Sequence, residues 1–115
     1  MALPMLVFVY GTLKRGGRNQ GFLRRARFVA SWQTAPAYQL FDLGTYPGAW
    51  RPGTTALQGE LYEVDALTLA ALDRLEEVPR VYRRESIQTD FGPAILYLLQ
   101  RMPRSARRCA SGRWP

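Results

Sequence analysis

Apolar residues fall along this chain in short runs broken by glycine, proline and charge. The run Val7-Phe8-Val9-Tyr10 predicts a buried strand, and Gly11 turns it into a polar, basic loop from Thr12 to Gly17. Arg18 to Ala26 predicts a short helix with Asn19 as its cap and Phe22, Leu23 and Ala26 facing inward. Residues 28–34 and 38–43 predict two strands parted by Ala35-Pro36-Ala37, where proline interrupts any ladder. Residues 44–55 are dense in glycine and proline and predict a loop. From Leu57 to Val64 the alternation of Leu57, Gly59 and Leu61 with Gln58, Glu60 and Tyr62 predicts a half-buried strand. Asp65 then stands as an N-cap before Ala66 to Glu76, a run of strong helix formers that Pro79 stops near Glu77-Val78. Two more strands follow at 81–89 and 93–99, joined through Asp90-Phe91-Gly92.

Within this pattern one position is out of place. At about 100° per residue Glu76 shares the leucine face of its helix, whereas Glu77 points to solvent. A carboxyl turned towards the core in the last helical turn has two outcomes. Desolvation and the helix dipole raise its pKa towards that of a general base near neutrality, or a salt bridge to Arg80, Arg83 or Arg84 lowers it. The loop after the first strand is open in the same way. The amides of Gly11, Thr12 and Leu13 either converge on an anion or form an ordinary strand exit. Tyr46 and Trp50, in the proline-rich segment, either pin that segment to the core or wall a pocket.

Composition narrows the chemistry. A chain of 115 residues, 47% hydrophobic, supports one core. No apolar run reaches the length of a membrane span, and Met1-Ala2-Leu3-Pro4-Met5 lacks the marks of a secretion leader, so a cytoplasmic protein is expected. With Cys109 alone and no histidine, neither an internal disulfide nor a zinc cage nor a Ser/His/Asp triad is available, leaving carboxylates, hydroxyls, backbone and arginine. The net charge of +7 is unevenly spread: residues 1–41 carry +6, residues 42–100 carry −4 from five arginines against nine acids, and residues 101–115 carry +5. Basic ends favour anionic partners, nucleic acid among them. A solvated arginine surface is preferred, because Arg101, Arg104, Arg107 and Arg108 sit among Met, Pro, Ser and Ala without stacking aromatics.

Several stretches together resemble the γ-glutamylcyclotransferase superfamily, the AIG2-like proteins that include γ-glutamylaminecyclotransferase. Val9-Tyr10-Gly11-Thr12-Leu13-Lys14-Arg15-Gly16 is similar to its N-terminal signature, and Gly59 to Asp65 to its central strand and helix entry. Leu72-Asp73-Arg74-Leu75-Glu76 resembles the end of its catalytic helix, with Pro79 to Arg84 and Ala94 to Tyr97 resembling the strands that follow. The resemblance covers Val7 to about Tyr97; the arginine tail and the scarcity of lysine depart from it. It implies an α/β (α+β mixed) fold, a small β-barrel-like mixed sheet, closed or nearly closed, with a few short helices. Residues 1–100 would form the single domain and 101–115 a basic C-terminal tail.

It further implies cyclisation of a small γ-glutamyl substrate to 5-oxoproline, with no cofactor or metal. Glu76 falls on the family's catalytic glutamate, and Tyr10, Gly11, Thr12 and Leu13 on its substrate-binding loop. Tyr46 and Tyr82 are candidate pocket residues, with buried tyrosines bonded through their hydroxyls as the alternative. Two other functions stay open: a non-catalytic module holding a small anionic metabolite, and a nucleic-acid-associated protein using the basic ends. One geometric demand separates an enzyme site from coincidence, namely that the Gly11–Leu13 amides and the Glu76 carboxyl line one cavity.

Overall fold

The computed structural model describes residues 5–114; residues 1–4, read above for a leader, and residue 115 lie outside the description. Its centre is β1 (Met5–Val9), which pairs antiparallel with β5 (Gln58–Val64) and parallel with β7 (Gly92–Leu99). β2 (Arg27–Gln33) flanks β5 and β6 (Tyr82–Thr89) flanks β7, giving the sheet order β2-β5-β1-β7-β6. A second sheet has the order β4-β3-β8, from β4 (Pro47–Thr55), β3 (Tyr38–Asp42) and β8 (Arg107–Arg108).

Period-two alternation divides the core. Val7 and Val9 lie with Tyr62, Leu72, Tyr82 and Tyr97 on the face covered by the helix. Phe8 and Tyr10 lie with Leu40, Ala49, Leu61 and Leu96 on the face covered by the second sheet. β1 is therefore buried on both sides, which its unbroken apolar run required. Helix α1 (Ala66–Leu75) starts where expected: the Asp65 carboxylate accepts from Thr68 N at 2.7 Å and satisfies one of the unpaired amides of the first turn.

The mixed α/β class is found, but the closed or nearly closed barrel is not. Among the described residues β2 and β6 end the larger sheet without pairing to each other, and the three-stranded sheet covers one face of it instead. Three local expectations also change. Residues 44–55 contain β4, because its prolines occupy positions that cost no ladder bond. Pro47 begins the strand, and Pro52 sits in the bulge where the register with β3 jumps from Tyr38↔Thr55 to Gln39↔Trp50. The segment 18–26 forms only a 3₁₀ turn at Gln20–Leu23; Asn19 makes no cap, and Phe22 is exposed while Leu23 is buried. Tyr62, placed by alternation on the outer side of its strand, is buried, packed edge-on to the Phe28 ring at 5.6 Å between centroids, because that face of the sheet is covered by α1. The basic tail docks on both sheets: Cys109 N donates to Leu40 O at 2.8 Å and Gln58 N to Gly112 O at 2.8 Å. No described helix is long and apolar enough to cross a membrane.

The tightest backbone approach in the larger sheet lies at Gly59, where a Cβ would stand 2.2 Å from Val9 O and 2.8 Å from the Phe8 ring. Gly59→Ala is expected to lose about 1–3 kcal/mol in urea unfolding through that overpacking; an unchanged midpoint would contradict this register of β1 and β5.

Candidate active site

The first half of the site is the turn that follows β1. Gly11 is needed for space, since a Cβ there would stand 2.6 Å from Pro47 Cγ. Lys14 N donates to Gly11 O at 3.1 Å, Asn19 N to Thr12 O at 3.0 Å, and Arg15 N to Glu60 Oε1 at 2.8 Å, so the turn is tied at both ends and to β5. The amides of Gly11, Thr12 and Leu13 find no acceptor among the described residues. Asn19 Nδ2 donates to Thr12 Oγ1 at 2.9 Å, which leaves the threonine hydroxyl proton free for another acceptor. The result is a cluster of donors suited to a carboxylate.

The second half is the end of α1. Val78 N donates to Asp73 O at 3.0 Å and Glu77 N to Arg74 O at 3.1 Å, the paired bonds of a Schellman termination, with Glu77 at φ 51° where glycine is usual. This termination makes Glu76 the last residue before the chain turns and sends its neighbour the other way. Glu77 is exposed and ion-paired with Arg80. Arg83 pairs with Glu85 and Arg84 with Asp73, so all three arginines that competed for Glu76 are engaged elsewhere. Desolvation by burial then acts unopposed and pushes the Glu76 carboxyl from its ordinary 4.5 up to about 7.

Three tyrosines around this carboxyl give it no relief. Tyr10 OH donates to Tyr97 O at 2.7 Å and accepts from Ala49 N at 3.0 Å. Tyr82 OH donates to Pro47 O at 2.7 Å, and Tyr97 OH to Asp73 Oδ1 at 2.7 Å. Burial raises the pKa of all three phenols, and the Glu76 charge adds to that rise in each. Their protons are thus committed to main-chain oxygens and Asp73, and Glu76 faces aromatic walls.

Both halves line one cavity of about 170 Å³. Tyr10, Gly11, Thr12, Leu13, Tyr46, Glu76 and Tyr82 all border it, so of the residues singled out from the sequence as lining a site the cavity brings together all but Trp50. Tyr46 is exposed and stands at the mouth. Tyr82 has the hydroxyl partner its alternative reading required, yet its ring still forms wall. Trp50, by contrast, is absent from the lining and packs against the core. Arg18, Asn19 and Tyr97 also line the cavity and were not foreseen. Asn19 had been assigned to a cap, and Tyr97 lay hidden in an apolar strand; the phenol in that run was the one signal that could have drawn attention to it. Among the described residues no three carboxylate or thiol side chains converge as a metal cage requires.

Comparison with known proteins places this geometry. The family model described as "Gamma-glutamyl cyclotransferase, AIG2-like" matches residues 7–115. A Vibrio cholerae protein named "Putative gamma-glutamylcyclotransferase" is 46% identical over 109 residues, covering 95% of this chain and 94% of that protein. The human protein named "Gamma-glutamylaminecyclotransferase" is 42% identical over 88 residues, covering 69% of this chain and 58% of its own length. The solution structure of the protein ytfP from Escherichia coli superposes with a TM-score of 0.78 at 39% identity, covering 96% of each chain.

Because the Glu76 pKa is raised on folding, the native state holds its proton where the unfolded chain has lost it. Stability therefore falls as pH rises from 4.5 to 7, and above that the buried carboxylate costs up to about 3 kcal/mol. In urea unfolding, Glu76→Gln should match the wild type near pH 4 and exceed it above pH 7; equal stability at both pH values would contradict the desolvated carboxyl.

Proposed function

The chain belongs to the γ-glutamyl cyclotransferase, AIG2-like family, and on that premise we propose that it cyclises the γ-glutamyl group of a small γ-glutamyl amide to 5-oxoproline and releases the amine or amino acid. The observation that carries this reading is the meeting of free turn amides and a carboxyl that titrates near neutrality in one small cavity. Such a pairing suits a substrate with an anion at one end and a transferable proton at the other.

In this reading the substrate α-carboxylate binds the Gly11, Thr12 and Leu13 amides, with the Thr12 hydroxyl as a further donor. Tyr10, Tyr46 and Tyr82 supply walls that fold the glutamyl chain, bringing its α-nitrogen against its own γ-carbonyl. Attacking and attacked atoms belong to one molecule, so confinement supplies much of the acceleration and no enzyme nucleophile is needed. Glu76, as the carboxylate, takes a proton from the α-ammonium. The freed amine forms the new C–N bond to the γ-carbonyl carbon, Glu76 gives its proton to the departing nitrogen as the old amide C–N bond breaks, and the regenerated carboxylate takes the second proton of the ring nitrogen, which leaves with the released amine as its ammonium. One residue serves as base and then acid, contributing about 10²–10⁴-fold. No cofactor enters this scheme. All of these residues lie within 1–100, which we take as the catalytic part of the domain, with the basic segment 101–115 adding β8 to its second sheet, and we place the reaction in the cytoplasm.

A panel of γ-glutamyl amino acids, γ-glutamyl amines and γ-glutamyl-ε-lysine, assayed for 5-oxoproline, tests the proposal. Release should rise with pH through about 7 as Glu76 ionises and fall at least about 100-fold in Glu76→Gln with folding intact. Folded protein that binds these compounds without releasing 5-oxoproline, or undiminished release by the variant, would overturn it.

A further inference from the structure

Asp73 stands one turn before Glu76 on α1, and its environment is the reverse of its neighbour's. Burial alone would raise its pKa, but hydrogen bonds from Arg84 and Tyr97 outweigh that and hold the carboxyl below its usual range. Arg84 donates through Nε at 2.9 Å and through a second nitrogen to the other oxygen, and Tyr97 OH donates at 2.7 Å. Arg84 and Tyr97 are directly opposed in the β6–β7 register, and Arg84 follows Tyr82 by two, on the same face of β6. The arginine therefore stands on the strand face that supplies the Tyr82 wall, close behind the cavity. Asp73 lies three residues before Glu76, the C-cap of α1, and Tyr97, whose hydroxyl clamps Asp73, lines the same cavity as Glu76.

We propose that Asp73 is a positioning residue whose carboxylate, clamped by Tyr97, holds the Arg84 guanidinium to itself and so leaves the Glu76 carboxyl without an ion-pair partner. This rests on the acid/base role given to Glu76 above and adds the device that sustains it. The other groups bordering the cavity do not supply the same control. Tyr10, Tyr46, Tyr82 and Tyr97 are phenols, Glu77 points outward to Arg80, and Arg18 at the rim and Arg74 on the helix itself, exposed like Arg84, have no acidic partner among the described residues that holds them beside the helix end. Arg84 is the cation nearest the helix end whose counter-ion lies on that helix, one turn from Glu76. A second consequence is mechanical. Asp73 O also accepts from Val78 N, so side chain and main chain of one residue tie the helix terminus to β6 and β7.

The test follows the Glu76 carboxyl carbon by NMR titration in the free protein, alongside 5-oxoproline release. Asp73→Asn, which leaves Arg84 without its partner, should weaken proton binding at Glu76 about threefold or more; Arg84→Met, which leaves Asp73 charged, should strengthen it by a similar factor. The double variant should return close to the wild type. Opposite signs mark an electrostatic role, whereas mere loosening of the helix end admits water and weakens proton binding in both single variants. Equal or absent changes would overturn the proposal, and Arg84→Met by itself decides between the two accounts by its sign. If Glu76 responds as expected while the wild type releases no 5-oxoproline, the reaction assigned above fails and the shield stands. Turnover with an unresponsive Glu76 gives the converse.

Discussion

A carboxyl withdrawn from water and denied a cation is the constraint around which this molecule is arranged. Its cost has to be offset by the rest of the fold, and its proximate cause is a choice of partners. Arg80, Arg83 and Arg84 are all near in sequence, yet each is bound to Glu77, Glu85 or Asp73. The tyrosine hydroxyls are likewise spent on Pro47, Tyr97 and Asp73. Each of these pairs is modest by itself, exposed ion pairs being worth little to stability. Their joint effect is to leave Glu76 with burial and nothing else, and burial is what brings its titration to about 7.

The sheet order explains how the two halves of the site meet. β1 is central, parallel to β7 and antiparallel to β5, so the turn leaving its C-terminal end emerges beside strands that themselves carry site residues. Tyr97 comes from β7 and Tyr82 from β6, while Glu60 of β5 holds the turn through Arg15 N. The second sheet contributes through the start of β4, where the Pro47 ring lies over Gly11 and the Pro47 carbonyl receives Tyr82 OH. The cavity is thus walled by the ends of β1, β6, β7 and α1 and by the start of β4.

Much of this was legible in the residues. The apolar run of β1 and the Asp65-capped helix follow local rules, and helical period alone turned Glu76 inward and Glu77 outward. What local rules miss is set by tertiary partners. β4 was hidden because Pro47 and Pro52 read as breakers, although an edge position and a bulge tolerate them. Asn19 looked like a cap until Thr12 claimed its side chain. The fate of the arginines could not be decided at all, since choosing among acids on different strands requires knowing which strands are neighbours. For the same reason the open edges of the larger sheet, where a closed barrel was expected, emerge only from the register.

A structure of the protein with 5-oxoproline bound puts the central claim to its most direct trial. The product carboxylate should accept from the Gly11, Thr12 and Leu13 amides, with the lactam nitrogen within hydrogen-bond reach of the Glu76 carboxyl. Binding elsewhere on the molecule, or in this cavity with the carboxylate turned to Arg18 and the lactam away from Glu76, would contradict the account.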